Sequence, residues 1–183
     1  MALLESSSVA LGSPAPSFQL RGVDDGVHTL EEYAQKAVLV TTFMCNHCPY
    51  VQACIDRLVS LQRDFEARGV QFLGINSNDA FSYPEDSFEA MKIFSRERGM
   101  NFPYLVDEFQ STALAYGAVC TPDIFVYDQH RRLAYHGRID DNWKDASLVR
   151  SHDLRAALEA LVSGERPDVV QKPSMGCSIK WRK

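Results

Sequence analysis

The sequence predicts an α/β fold in three layers, a central sheet with helices on both faces. Short β-branched apolar runs, 37–43 (AVLVTTF) above all, read as strands buried on both sides. Between such runs, apolar residues recur at helical spacing, as in Val51, Cys54, Ile55, Leu58, Leu61 and Phe65. The resulting order, β, α, β, α, β, α, β, β, α, alternates until a closing hairpin and helix, which implies a sheet covered on both faces.

Residues 1–13 read as a loose lead-in, 14–163 as the domain and 164–183 as an extended C-terminal arm. A short strand is expected at 17–20, then a turn through Gly22 and Gly26, and Thr29 can cap a brief helix over 30–35. The strand at 37–43 runs into Cys45-Asn46-His47-Cys48, and the helix behind it stops at Gly69. A strand at 70–75, a polar loop over 76–84 and an amphipathic helix over 85–98 with Gly99 as its stop come next. Tyr104–Val106 reads as a strand, Ser111–Tyr116 as a helix ending at Gly117, and Asp123–Tyr127 with Leu133–His136 as a hairpin. Ser151 can cap a last helix over 154–162, stopped by Gly164. The arm shows no helix or strand period.

The chain has 183 residues and a formal charge of −5, which argues against a dedicated nucleic-acid binder, although the end Lys180-Trp181-Arg182-Lys183 is locally basic. The start lacks a basic segment before a continuous apolar one, and no stretch has the length of a membrane span. A cytoplasmic protein without membrane or nucleic-acid partners is therefore expected. Five cysteines, an odd count, do not form a secreted disulfide framework. In a reducing compartment C-x-x-C points to redox chemistry or to metal.

A buried strand that ends at two cysteines opening a helix places sulfur where free N–H groups and the helix dipole stabilise an anion. The thiolate is the nucleophile, so Cys45 at the helix start is expected to be exposed and acidic, with Cys48 shielded one turn in. The spacing brings the second sulfur within bonding reach of the first. Pro49 is tolerable in a first turn. A structural zinc site would need two further ligands, and there is no second C-x-x-C. Cys54 falls on the apolar face of its helix and reads as a small hydrophobe.

On these residues the sequence resembles the thioredoxin superfamily, and more closely its TlpA-like and AhpC/TSA-like branch. Gly12-Ser13-Pro14-Ala15-Pro16-Ser17-Phe18 looks like the opening of that branch, Cys45–Cys48 matches its redox motif, and Cys120-Thr121-Pro122 with Ile124-Phe125-Val126-Tyr127-Asp128 matches its cis-proline and following strand. The resemblance implies a thioredoxin-like fold with a central mixed β-sheet, and a thiol-disulfide oxidoreductase in which Cys45 attacks, Cys48 resolves and Thr121-Pro122 lies beside them. It implies no cofactor beyond a redox-active Cys45–Cys48 disulfide, no metal, and as partners a protein or small-molecule disulfide and a thiol reductant.

The chain departs from thioredoxin in two places. Asn46-His47 replaces Gly-Pro, and a positive His47 would favour thiolate and a more oxidising couple. Leu39 stands where thioredoxin keeps a buried Asp, so a proton acceptor must come from elsewhere, with Asp79 the candidate. Cys120 can lie near the dithiol or merely pack. Cys177 can be a third thiol brought in by the arm, or can accompany Ile179 and Trp181 as they pack. His28 and His136 read as surface or hairpin residues.

Two other functions compete. A peroxiredoxin would need P-x-x-x-[TS]-x-x-C, and Thr42-Phe43-Met44-Cys45 supplies its end, but Val38 stands at the proline position. A Sco-type copper protein would need C-x-x-x-C-P and a distant histidine. Pro49 and His136 suit it, but the spacing is one residue short.

Overall fold

A computed structural model describes residues 3–182 of the chain, so Met1 and Ala2 of the lead-in and Lys183 of the basic end lie outside the described residues. The elements are β1 (Leu3–Glu5), β2 (Gln19–Gly22), β3 (Val27–Thr29), β4 (Val38–Phe43), α1 (Pro49–Phe65), β5 (Val70–Asn76), α2 (Phe88–Glu97), β6 (Tyr104–Val106), α3 (Ser111–Tyr116), β7 (Cys120–Thr121), β8 (Asp123–Tyr127), β9 (Leu133–His136), α4 (Asp153–Val162) and β10 (Met175–Ser178).

β4 is buried at every position, because side chains alternate across a strand and both faces of this one are covered. Val38 and Val40 face a core shared with α1, α2 and α4, while Leu39 and Phe43 face a second core with Tyr33, α3 and the Phe125, Tyr127 side of β8. The sheet order is β3-β2-β6-β5-β4-β8-β9, with β4, β5 and β6 mutually parallel and the remaining pairs antiparallel. The fold is the predicted thioredoxin-like mixed sheet between helical layers. Among the described residues no helix is long and apolar enough to cross a membrane.

Several local expectations are corrected. The first strand of the domain lies at Gln19–Gly22 rather than 17–20, and its turn leads to a second strand, β3, paired Leu20 to His28. Thr29 ends β3, and a single 3-10 turn at Glu31–Tyr33 follows without a side-chain cap. α2 starts later than expected, since Pro84–Asp86 forms its own 3-10 turn and Ser87 accepts from the Ala90 N–H. Ser151 donates to the Asp153 side chain instead of capping α4, which follows His152. His28 is buried, with its Nδ1 2.6 Å from Tyr33 Oη, while His136 lies in the β8–β9 hairpin as expected, also buried.

The largest difference concerns both ends of the chain. The lead-in holds a strand and so does the arm: β1, β10 and β7 form a separate three-stranded antiparallel sheet, Leu3 opposite Cys177 and Cys177 opposite Thr121. Neither strand has a two-residue apolar alternation; β1 pairs with β10, and β10 lies between β1 and β7.

Candidate active site

β4 ends at Phe43, and the Met44 N–H continues the ladder to the Ile75 carbonyl at 2.8 Å. Met44 packs over Gly74, where an added Cβ would lie 2.8 Å from its sulfur, so the strand glycine makes room for the turn into the dithiol. The helix begins later than the motif suggests. Pro49 is the first helical residue and Cys48 the extended N-cap, so Cys45, Asn46 and His47 form a loop ahead of the helix.

That offset changes which sulfur receives the helix N-terminus. As a thiol, Cys48 closes no cap bond and donates to the Thr121 carbonyl at 3.1 Å. As a thiolate it is stabilised by the Cys45 S–H first, and also by the Val51 and Cys177 N–H groups, which bring Cys48 down to about 5. Cys45 is pushed well up by its proton-sharing contact with Cys48, by burial and by the negative charge of Asp86. The pair thus ionises first at Cys48. The expectation of an exposed, acidic Cys45 does not hold in this closed form: Cys45 is 1% and Cys48 0% exposed.

Asn46, His47 and Asp86 build the wall beside Cys45. The Asn46 N–H donates to Asp86 Oδ1 at 2.8 Å, its side-chain amide donates to the Glu85 carbonyl at 2.8 Å, and Tyr104 Oη donates to Asn46 Oδ1 at 2.9 Å. His47 stacks on Tyr83 and places Nδ1 2.6 Å from Asp86 Oδ2, an oxygen that also accepts from the Asn78 side chain at 2.7 Å. Asp86 holds the His47 pKa above its ordinary value. The charge of His47 is therefore paired with a carboxylate, and that carboxylate's own charge raises the Cys45 pKa.

The expected acidic residue, Asp79, is elsewhere. Its carboxylate accepts from the Phe81 N–H at 3.2 Å and faces Arg182 at 3.8 Å. The carboxylate that reaches the site is Asp86, in the 3-10 turn at Pro84–Asp86 where a helix was expected, and it lies beside Asn46 and His47. No sequence period marks it, since it lies in a 3-10 turn just ahead of the Ser87 cap.

The Thr121–Pro122 peptide is cis, and Thr121 Oγ1 lies 3.6 Å from Cys45 Sγ. Cys120, beside it on β7, directs its thiol to the Pro122 carbonyl at 3.8 Å, and burial followed by the charge of Asp123 drives its pKa far up. Cys54 is buried in the α1 core, with its thiol pushed up to about 12 by burial. Cys177 is 3% exposed and its thiol is in hydrogen-bonding contact with Cys48. A cavity of about 260 Å³ adjoins Pro122, walled by Tyr50 and Trp143 and by Arg57, Ile139 and Met175.

For a metal, the described residues offer one group: Cys45 Sγ, His47 Nδ1 and an Asp86 oxygen lie within 4.8 Å of one another. His136, the distant histidine considered for copper, is not among them. It bonds buried Asp123 at 2.8 Å and stacks on Phe125.

Residues 11–136 match the AhpC/TSA family. An uncharacterised conserved protein of Geobacillus kaustophilus, known from its crystal structure, is 45% identical, covers 100% of this chain and 97% of its own, and superposes with a TM-score of 0.95. The thiol-disulfide oxidoreductase ResA of Geobacillus thermodenitrificans (strain NG80-2) is 26% identical over 131 residues, 70% of each chain. The thioredoxin domain of a Bacteroides vulgatus thiol-disulfide oxidoreductase shares the fold, with 17% identity, 70% of this chain and 89% of that one covered, and a TM-score of 0.61. With a cysteine pair between β4 and α1 and a match across most of its length, the chain belongs to the AhpC/TSA family of the thioredoxin superfamily.

Proposed function

We propose that the protein is an oxidoreductase that exchanges disulfides through Cys45 and Cys48. The observation that carries this reading is that both sulfurs, between β4 and α1, converge on Thr121 of the cis Thr121–Pro122 peptide, its Oγ1 3.6 Å from Cys45 Sγ and its carbonyl accepting from Cys48 at 3.1 Å. When a disulfide reaches the site, the proton held by Cys45 passes to Cys48 and the Cys45 sulfur attacks. One substrate sulfur leaves as a thiolate. Cys48 then gives its proton to the departed substrate thiolate and attacks Cys45 Sγ, which releases the second substrate sulfur as a thiolate and leaves a Cys45–Cys48 disulfide. A thiol reductant reverses the change and completes the cycle. The cavity beside Pro122 suits the substrate group flanking the scissile bond, with Tyr50 and Trp143 as an aromatic wall. Neither a metal nor an organic cofactor enters these steps.

The trapping experiment tests the assignment. Cys48→Ser keeps the attacking sulfur and loses the resolving one, so mixed disulfides with an added model disulfide should accumulate on Cys45. Trapping on Cys48 in the Cys45→Ser variant, with none on Cys45, would reverse the two roles.

A further inference from the structure

We propose that Cys177 is a third exchange thiol, with Cys48 as its partner, and that the bond between them fastens the C-terminal strand over the site. The proposal extends the Cys45–Cys48 reading and rests on it.

Thr121 is the hub of the arrangement. Its hydroxyl lies 3.6 Å from Cys45 Sγ, its carbonyl accepts from Cys48 at 3.1 Å, and Cys177 is its strand partner. β10 and α1 are in direct contact, and the Cys177 and Cys48 thiols already meet. The register is enforced from both sides. Gly176 approaches so closely that an added Cβ would lie 1.9 Å from the Thr121 carbonyl oxygen. Beyond Cys177, the Ile179 N–H donates to the Val119 carbonyl at 3.0 Å and the Lys180 N–H to Asn78 Oδ1 at 2.8 Å. A thiol held in place in this way has a high effective concentration toward its neighbour.

The strand also occupies the β7 edge next to the cis-proline. β10 pairs with β7 beside Pro122, so in the closed form an intramolecular segment takes the backbone groups of Cys120 and Thr121. Both sulfurs of the pair are buried beneath it.

The exchange balances without an outside reagent once the Cys45–Cys48 disulfide exists. The Cys177 sulfur attacks Cys48 Sγ, the Cys45–Cys48 bond breaks, and the Cys48–Cys177 bond forms. Cys45 leaves with the electron pair and takes up the proton given off by Cys177, so one disulfide is replaced by another. Burial first, and then contact with Cys48, hold the Cys177 thiol up at about 12 in the reduced site. The second of these causes disappears when Cys48 is in a disulfide, while burial remains.

The test is diamide oxidation of the full-length reduced protein, followed by peptide mapping under non-reducing conditions. Cys45→Ser should give an intramolecular Cys48–Cys177 peptide as its dominant oxidised species, Cys45→Ala should do the same, and the wild type should contain both disulfides. Cys45→Ser and Cys45→Ala proteins with native circular dichroism that yield only Cys48-linked dimers, or unbridged thiols, would overturn the proposal. Cys177→Ser separates the two readings. If it still forms the Cys45–Cys48 disulfide while the Cys45 variants form none, only the role of Cys177 fails. If Cys177→Ser forms no disulfide, the Cys45–Cys48 reading itself fails.

Discussion

The same four-residue motif places its two sulfurs in unlike surroundings. Cys48 takes the N-cap and its N–H donors, whereas Cys45 sits in the preceding loop beside an anion. The reduced protein should therefore show one thiolate, read by absorbance at 240 nm, with a midpoint near pH 5. Cys48→Ser should remove that step. Cys45→Ala should move it upward, because the Cys45 S–H is the largest cause of the depression. The sign of the link to stability follows from the folded value lying below the ordinary thiol value of 9.0. The contribution is complete above the unfolded pKa and is lost as pH falls through about 5. The urea midpoint of reduced wild type minus that of Cys48→Ser should accordingly grow between pH 5 and pH 9.

At the level of elements, β10 is the one whose formation depends on a single atom-scale fit. Gly176 lets two backbones approach within a distance that no Cβ tolerates. Gly176→Ala should push β10 off β7 while leaving the main sheet intact, since β10 belongs to the smaller sheet. The expected result is faster alkylation of Cys45 and Cys48 by iodoacetamide at pH 7, with an unchanged helical circular dichroism signal. An unchanged alkylation rate would mean that the arm does not control access. α1, by contrast, is secured by a long apolar stripe, and a local change there is spread over many contacts.

For the molecule as a whole, stability comes from two cores on either side of one sheet. Leu58 is fully buried in the core between α1 and the sheet. Leu58→Ala should cost about 2–5 kcal/mol, the range for deleting a buried leucine side chain and leaving a cavity. Urea denaturation should show this as a lower midpoint with an unchanged slope. A loss under about 1 kcal/mol would mean that the site collapses around the gap. Segments near the two ends of the chain add a second, smaller sheet, which joins β7 beside the cis-proline.

The sequence by itself determined the elements whose signal is local. The apolar run of β4, the helical spacing of α1, the hairpin of β8 and β9 and the C-x-x-C between them are readable because each follows from a period or a run within a short window. The Thr121-Pro122 element was legible through resemblance, as was the AhpC/TSA branch. Tertiary structure alone decided the rest. Asp86 rather than Asp79 reaches the site because a 3-10 turn, invisible as a pattern, aims it at Asn46 and His47. β1 pairs with β10 across nearly the whole length of the chain, β10 pairs in turn with β7, and no short window of sequence contains these partners together. That Cys48 rather than Cys45 takes the N-cap was likewise decided by where the first helical turn begins. That is a matter of position in three dimensions, set by how α1 docks on the sheet.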